Sequence, residues 1–75
     1  MSPRLPSVTA RQVIQALEAI CFERIRQSGS HATFHHPDGR WTIVSIHPGK
    51  TIPRSTLRKI LRDADLTVGQ FLELL

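Results

Sequence analysis

His31-Ala32-Thr33-Phe34-His35-His36-Pro37-Asp38-Gly39-Arg40-Trp41-Thr42-Ile43-Val44-Ser45-Ile46-His47 reads as two strands around one turn, and the turn decides the fold. Pro37 supplies the fixed φ of the first position in a type I turn, Asp38 suits the second, and Gly39 takes the left-handed position that follows. This three-residue loop sets a register with His36 opposite Arg40, Phe34 opposite Thr42 and Ala32 opposite Val44. Those side chains, with Ile46 further along, form the core face. Alternation puts His31, Thr33, His35, Trp41, Ile43, Ser45 and His47 on the other face. A two-residue loop at Asp38-Gly39 would shift the pairing by one and exchange the two sets.

Upstream, Phe22 to Gln27 carries β-compatible Phe22 and Ile25 among charged residues, and Ser28-Gly29 closes it as a turn, giving a third, polar strand. Before it, Thr9 with Gln12 fits a capping box. Ala10, Val13, Ile14, Leu17, Ile20 and Cys21 then recur at helical spacing, which predicts a helix from about Ala10 to Ile20. Residues 1–8, with Pro3 and Pro6, form an extended lead-in. Downstream, His47-Pro48-Gly49-Lys50 is a turn. Pro53 opens a second helix, in which Leu57, Ile60, Leu61 and Ala64 make an apolar stripe against Arg54, Arg58, Lys59 and Arg62. Asp65-Leu66 ends it, and Thr67 with Gln70 repeats the capping-box spacing ahead of Val68, Phe71, Leu72, Leu74 and Leu75. The order predicts an α+β fold, αβββα, with a three-stranded antiparallel sheet, two helices on one face and a short C-terminal helix. Residues 1–75 form one domain.

A chain of 75 residues buries only about 60 to 65 per cent of its unfolded surface, so the core is small. Ten Lys/Arg against six Asp/Glu give a net charge of +4, which favours an acidic partner or a nucleic acid. Cys21 is the only cysteine, so no internal disulfide forms and the cytoplasm is the expected compartment. No apolar run approaches the roughly 18 residues that span a bilayer, and Met1-Ser2-Pro3-Arg4-Leu5-Pro6 lacks the apolar region of a signal peptide.

Gly29-Ser30-His31 brings a glycine, a hydroxyl and an imidazole together where the second strand begins. A zinc site does not follow, because His31 and His35 are separated by about 13 Å of strand and His36 points to the other side. No metal or other cofactor is therefore expected. A hydrolase triad lacks both a strand-to-helix elbow around Ser30 and a carboxylate to orient the base. Metal-free RNA cleavage asks for less, since RNA carries its own 2′-hydroxyl nucleophile. Histidine can move the proton. Arg, Lys and the backbone N–H groups of Gly29 and Ser30 can hold a phosphoryl oxygen as charge develops. In this register His47 is diagonal to His31, at roughly 7 to 8 Å, with room for a phosphate between them. The opposite reading makes His31, His35 and His47 solvated sheet residues. Trp41 and Ile43, large and apolar on the open face, point to a protein partner.

Arg26-Gln27-Ser28-Gly29-Ser30-His31, His36-Pro37-Asp38-Gly39-Arg40, His47-Pro48-Gly49-Lys50 and Ile52-Pro53-Arg54-Ser55-Thr56-Leu57-Arg58-Lys59-Ile60-Leu61 together closely resemble the HicA toxin family of bacterial toxin-antitoxin systems. The resemblance runs from about Val13 to Leu75, with the blocks in order. It implies a small mRNA interferase with a double-stranded-RNA-binding-domain-like fold, neutralised by a HicB-type antitoxin that covers the active site. The family's catalytic histidine maps onto His31. Many members carry a second histidine where this chain has Ala32, and many end the first helix with glycine where this chain has Cys21. A left-handed cap at Cys21 would be strained.

The expected function is thus an endoribonuclease toxin. His31 is the general acid or base, with Ser30 and His47 auxiliary. Gly29, Arg24, Arg26, Lys50, Arg54 and Arg58 bind RNA, and Trp41 and Ile43 meet the antitoxin. A non-catalytic RNA-binding module of the same fold is the alternative, and a subunit that binds only protein through Trp41 and Ile43 is a third reading.

Overall fold

The computed structural model of the chain describes residues 4–75, so the part of the expected lead-in that includes Pro3 lies outside the described residues. In chain order the elements are α1 (Ala10–Ala19), β1 (Glu23–Ser28), β2 (His31–His35), β3 (Trp41–Ser45), α2 (Arg54–Asp63) and α3 (Val68–Glu73). The strands make one antiparallel sheet in the order β1-β2-β3. The αβββα-like, α+β arrangement is the one the sequence predicts.

The hairpin between β2 and β3 has the three-residue loop. Ala32 faces Val44, Phe34 faces Thr42, and His35 faces Trp41. The His36 N–H donates to the Arg40 carbonyl at 2.8 Å, and Gly39 has φ of 100°. Ala32, Phe34, Thr42 and Val44 are fully buried under the helices. The Thr42 hydroxyl, the one polar group in this inner layer, donates to the Asp63 carboxylate at 2.9 Å, and Lys59 donates to the same oxygen. One hydrogen bond therefore pins α2 to β3 where a bare hydroxyl would carry a desolvation cost.

Both capping boxes form: Thr9 with Gln12 starts α1, and Thr67 with Gln70 starts α3. α1 ends one residue before the periodicity suggests. Ile20 is its C-cap, and Cys21 sits in the left-handed region at φ of 75° with its side chain exposed, not in the apolar stripe. The Phe22 N–H donates to the Leu17 carbonyl and the Cys21 N–H to the Glu18 carbonyl, which is the Schellman pattern. α2 ends the same way, with Asp65 at φ of 57° and the Leu66 N–H on the Leu61 carbonyl. Neither left-handed position holds glycine.

Two further findings depart from the pattern reading. The described part of the lead-in is more than a tail: Leu5 and Val8 are core residues, and the Ile52 N–H donates to the Val8 carbonyl at 2.8 Å beside a bridge between Thr9 and Thr51. In α3 only Phe71 is fully buried, while Leu72 lies at the surface and Leu75 beyond it is half exposed.

Candidate functional site

Strand β1 is exposed along its whole length and carries a bulge. Arg24 pairs with Phe34 and Arg26 with the adjacent Thr33, so Ile25 is the extra residue. This splits the two arginines that sequence reasoning grouped. Arg24 lies on the helix side, its guanidinium 5.4 Å from the centre of the Phe34 ring and donating to Gln27 Oε1 at 2.9 Å. Arg26 lies on the open side, where it lines a shallow depression with Ile25, Thr33, His35, Trp41 and Ile43. Ile25, Trp41 and Ile43 are 53, 54 and 38 per cent exposed, an apolar patch on a surface that no helix covers. Pattern reading found Trp41 and Ile43 but not Ile25, because nothing in single-strand alternation signals a bulge.

His31 opens β2 on this face. It is exposed and lies between two hydroxyl residues, opposite Ser28 on β1 and Ser45 on β3. The turn that delivers it is tight: two residues, Gly29 and Ser30, join Ser28 to His31, and Gly29 takes φ of 58°, as the first central position of a type II′ hairpin requires. Both turn carbonyls are engaged. Ile46 N–H donates to the Ser30 carbonyl at 2.7 Å, and Gln27 Nε2 to the Gly29 carbonyl at 3.1 Å. Among the described residues, the N–H groups of Gly29 and Ser30 have no partner. Free donors, a hydroxyl and an imidazole thus stand together at one corner of the sheet.

His47 and Lys50 lie just past β3. The Lys50 N–H donates to the His47 carbonyl at 3.1 Å across a turn in which Gly49 has φ of 77°. With Ser45 and Thr56, both line a cavity of about 170 Å3 where β3 leads into α2. Ser45, missed in the sequence, links this cavity to His31 as the residue directly opposite it. Arg54 and Arg58 are elsewhere. With Arg4 and Arg62 they line a groove of about 550 Å3 between the lead-in, α2 and α3, and no strand residue enters it. The structure does not bring them to His31.

His36 also stands apart, its ring edge-on to Phe22 with centroids 5.1 Å apart. Its Nδ1 lies 3.1 Å from the Asp38 amide and 2.9 Å from the Asp38 carboxylate, so a neutral ring accepts from the first and a protonated ring donates to the second. Arg40 closes this corner. It bonds the Asp38 carboxylate at 2.8 Å, donates to the Ala64 carbonyl at the end of α2 and lies 5.3 Å from the Phe22 ring centre. The Asp38 carboxyl is held below its ordinary value, chiefly by the hydrogen bond from the Arg40 amide and further by the guanidinium. Among the described residues, no three of the His, Cys, Asp and Glu side chains gather as metal ligands, and no helix is long and apolar enough to cross a membrane.

A family model described as the HicA toxin of bacterial toxin-antitoxin systems matches residues 10–66. The chain belongs to the HicA toxin family. The match starts at the first residue of α1 and ends just after the left-handed cap of α2, so it takes in His31, the hairpin and the His47-Lys50 turn. This HicA-family chain is accordingly a toxin of a toxin-antitoxin system, and the family implies an antitoxin partner. A comparison with curated proteins returned no match.

Proposed function

We propose that this HicA-family toxin is a metal-independent endoribonuclease that cleaves mRNA in the cytoplasm, with His31 as its general acid or base. The observation that supports this reading best is the corner at the start of β2, where an exposed imidazole stands beside two unpartnered backbone N–H groups and between two serines. A phosphoryl oxygen held by Gly29 and Ser30 N–H lies next to a group able to move a proton. In the reaction the RNA 2′-oxygen bonds to phosphorus, the bond to the 5′-oxygen breaks, and His31 takes the first proton or supplies the second. The products are a 2′,3′-cyclic phosphate and a 5′-hydroxyl. Ser30 is an auxiliary donor. Arg26, on the same face, and Lys50, past β3, hold nearby phosphates. Arg24, Arg54 and Arg58, on the helical side, hold flanking strand. Ile25, Trp41 and Ile43 receive a HicB-type antitoxin, which would cover the approach to His31.

His31→Ala is the test. Purified variant and parent are incubated with single-stranded RNA, cleavage and end groups are mapped, and folding is checked by circular dichroism. Cleavage and growth arrest should disappear while the fold persists; an active variant, or products with a 3′-phosphate formed without the cyclic form, would sink the proposal. The groove of Arg4, Arg54, Arg58 and Arg62 favours a second reading, a module that grips RNA without cutting it. In that case RNA stays intact and affinity is indifferent to His31→Ala.

A further inference from the structure

We infer that the cavity at the end of β3 is a nucleobase pocket that takes the base next to the scissile phosphate and so selects the sequence that is cut. The inference rests on the reading of His31 as the cleaving residue. Three hydroxyl residues, Ser45, Thr51 and Thr56, line the cavity together with His47, Lys50 and Pro53. None of the five polar side chains makes a hydrogen bond or ion pair among the described residues. His47, Lys50 and Thr51 are exposed and Ser45 and Thr56 half-buried, so all five are free to meet a ligand seated in the recess.

Size narrows the occupant. At about 170 Å3 the cavity is below the roughly 300 Å3 at which sites for drug-sized ligands begin. One planar ring system fits; a longer stretch of RNA does not. Chemistry narrows it further. A dedicated anion site in this arginine-rich chain would be expected to draw on several guanidinium groups, yet no arginine lines the cavity and Lys50 is its single lysine, enough for the phosphate beside a base. Hydroxyls donate and accept, as reading the edge of an unstacked base demands, and Pro53 offers a flat apolar wall. Single-stranded RNA is recognised in this way, by bases splayed out of the stack into side-chain pockets.

Position supplies the link to cleavage. Ser45 faces His31 directly across the β2–β3 ladder, a pairing that sets Cβ atoms about 4.5 to 5.5 Å apart. A base seated against Ser45 therefore belongs to a nucleotide that adjoins the phosphate at His31. The cavity is also preorganised, since Thr51 bridges to Thr9 and Ile52 is tied to Val8, which fixes one wall against the core. In this arrangement His47 serves recognition, Lys50 holds the phosphate that flanks the seated base, and the second proton mover lies elsewhere.

Two measurements decide it. Amide shifts of the isotope-labelled parent chain are followed by NMR while each of the four nucleoside 3′-monophosphates, and separately inorganic phosphate, is added. Shifts at Ser45, Thr51 and Thr56 that differ among the bases and are absent with inorganic phosphate support the pocket; equal shifts with phosphate alone overturn it. Cleavage sites are then mapped on a random RNA pool for the parent, Ser45→Ala and Thr56→Val, each first shown to melt cooperatively. Loss of one hydroxyl contact should relax base preference at one position beside the cut by about tenfold. Unchanged preference in both variants overturns the pocket while leaving the ribonuclease reading intact. A parent chain that cuts no RNA overturns that reading instead, and the base-dependent shifts remain readable without it.

Discussion

Replacing Cys21 by glycine should stabilise the fold. Cys21 holds φ of 75° at the end of α1 because the Schellman bonds from its own N–H and from Phe22 require a left-handed residue there. A side chain in that conformation costs about 1 to 2 kcal/mol. Glycine removes the strain but gives the unfolded chain more freedom, which returns about 0.4 to 1 kcal/mol. The thiol is exposed, so its removal sacrifices little packing. The net gain is about 0.5 to 1 kcal/mol, or about 3 to 6 °C in melting temperature for a domain of this size. Thermal unfolding followed by far-ultraviolet circular dichroism, under reducing conditions so that exposed thiols do not pair, reads the shift. Cys21→Ala is the control, since it keeps the Cβ and hence the strain. A Cys21→Gly chain no more stable than its parent, or an alanine variant that gains as much, would refute the account.

Arg40→Ala should cost about 2 kcal/mol in urea unfolding, because it removes the guanidinium bonds to Asp38 and the Ala64 carbonyl together with the Phe22 contact; lysine, lacking the planar fork, should not restore it. The lowered Asp38 carboxyl predicts a stability contribution that is complete above its ordinary value of 3.8 and is lost as pH falls through the lowered value. Asp38→Asn should therefore flatten the acid limb of a melting-temperature profile and leave its slope near neutrality unchanged. Trp41→Ala, at a site 54 per cent exposed, should leave the melting temperature within a few degrees yet weaken calorimetric binding of a HicB-type antitoxin by about thirtyfold or more. Unchanged affinity would place the antitoxin on another surface.

Local rules made most of the fold legible. Pro37-Asp38-Gly39 gave the register, and the register gave the two faces, because a period of two leaves no freedom once one pair is fixed. Thr9 and Thr67 announced their helices through bonds to residues only three positions away. What escaped was set by distant contacts. The bulge that parts Arg24 from Arg26 depends on how β1 meets β2, not on the residues of β1 alone. Leu5 and Val8 read as a tail because their partners, including Ile52, lie far along the chain. The candidate site divided in the same way. His31 was visible because its turn, glycine and strand are contiguous, whereas the cavity joins Ser45 to Thr56 across a loop and a change of element.

The clasp between Val8 and Ile52 bears on the order in which the chain can complete itself during synthesis. The strands that present His31 lie within residues 23–45, and the first helix precedes them. The core that backs them is incomplete until Ile52, Leu57, Ile60 and Phe71 join the α1 residues already made. A nascent chain that has emerged only through the hairpin thus lacks both the second helix and the anchor for its own first residues. The closing contact spans most of the sequence, so folding should be completed late and as one cooperative step.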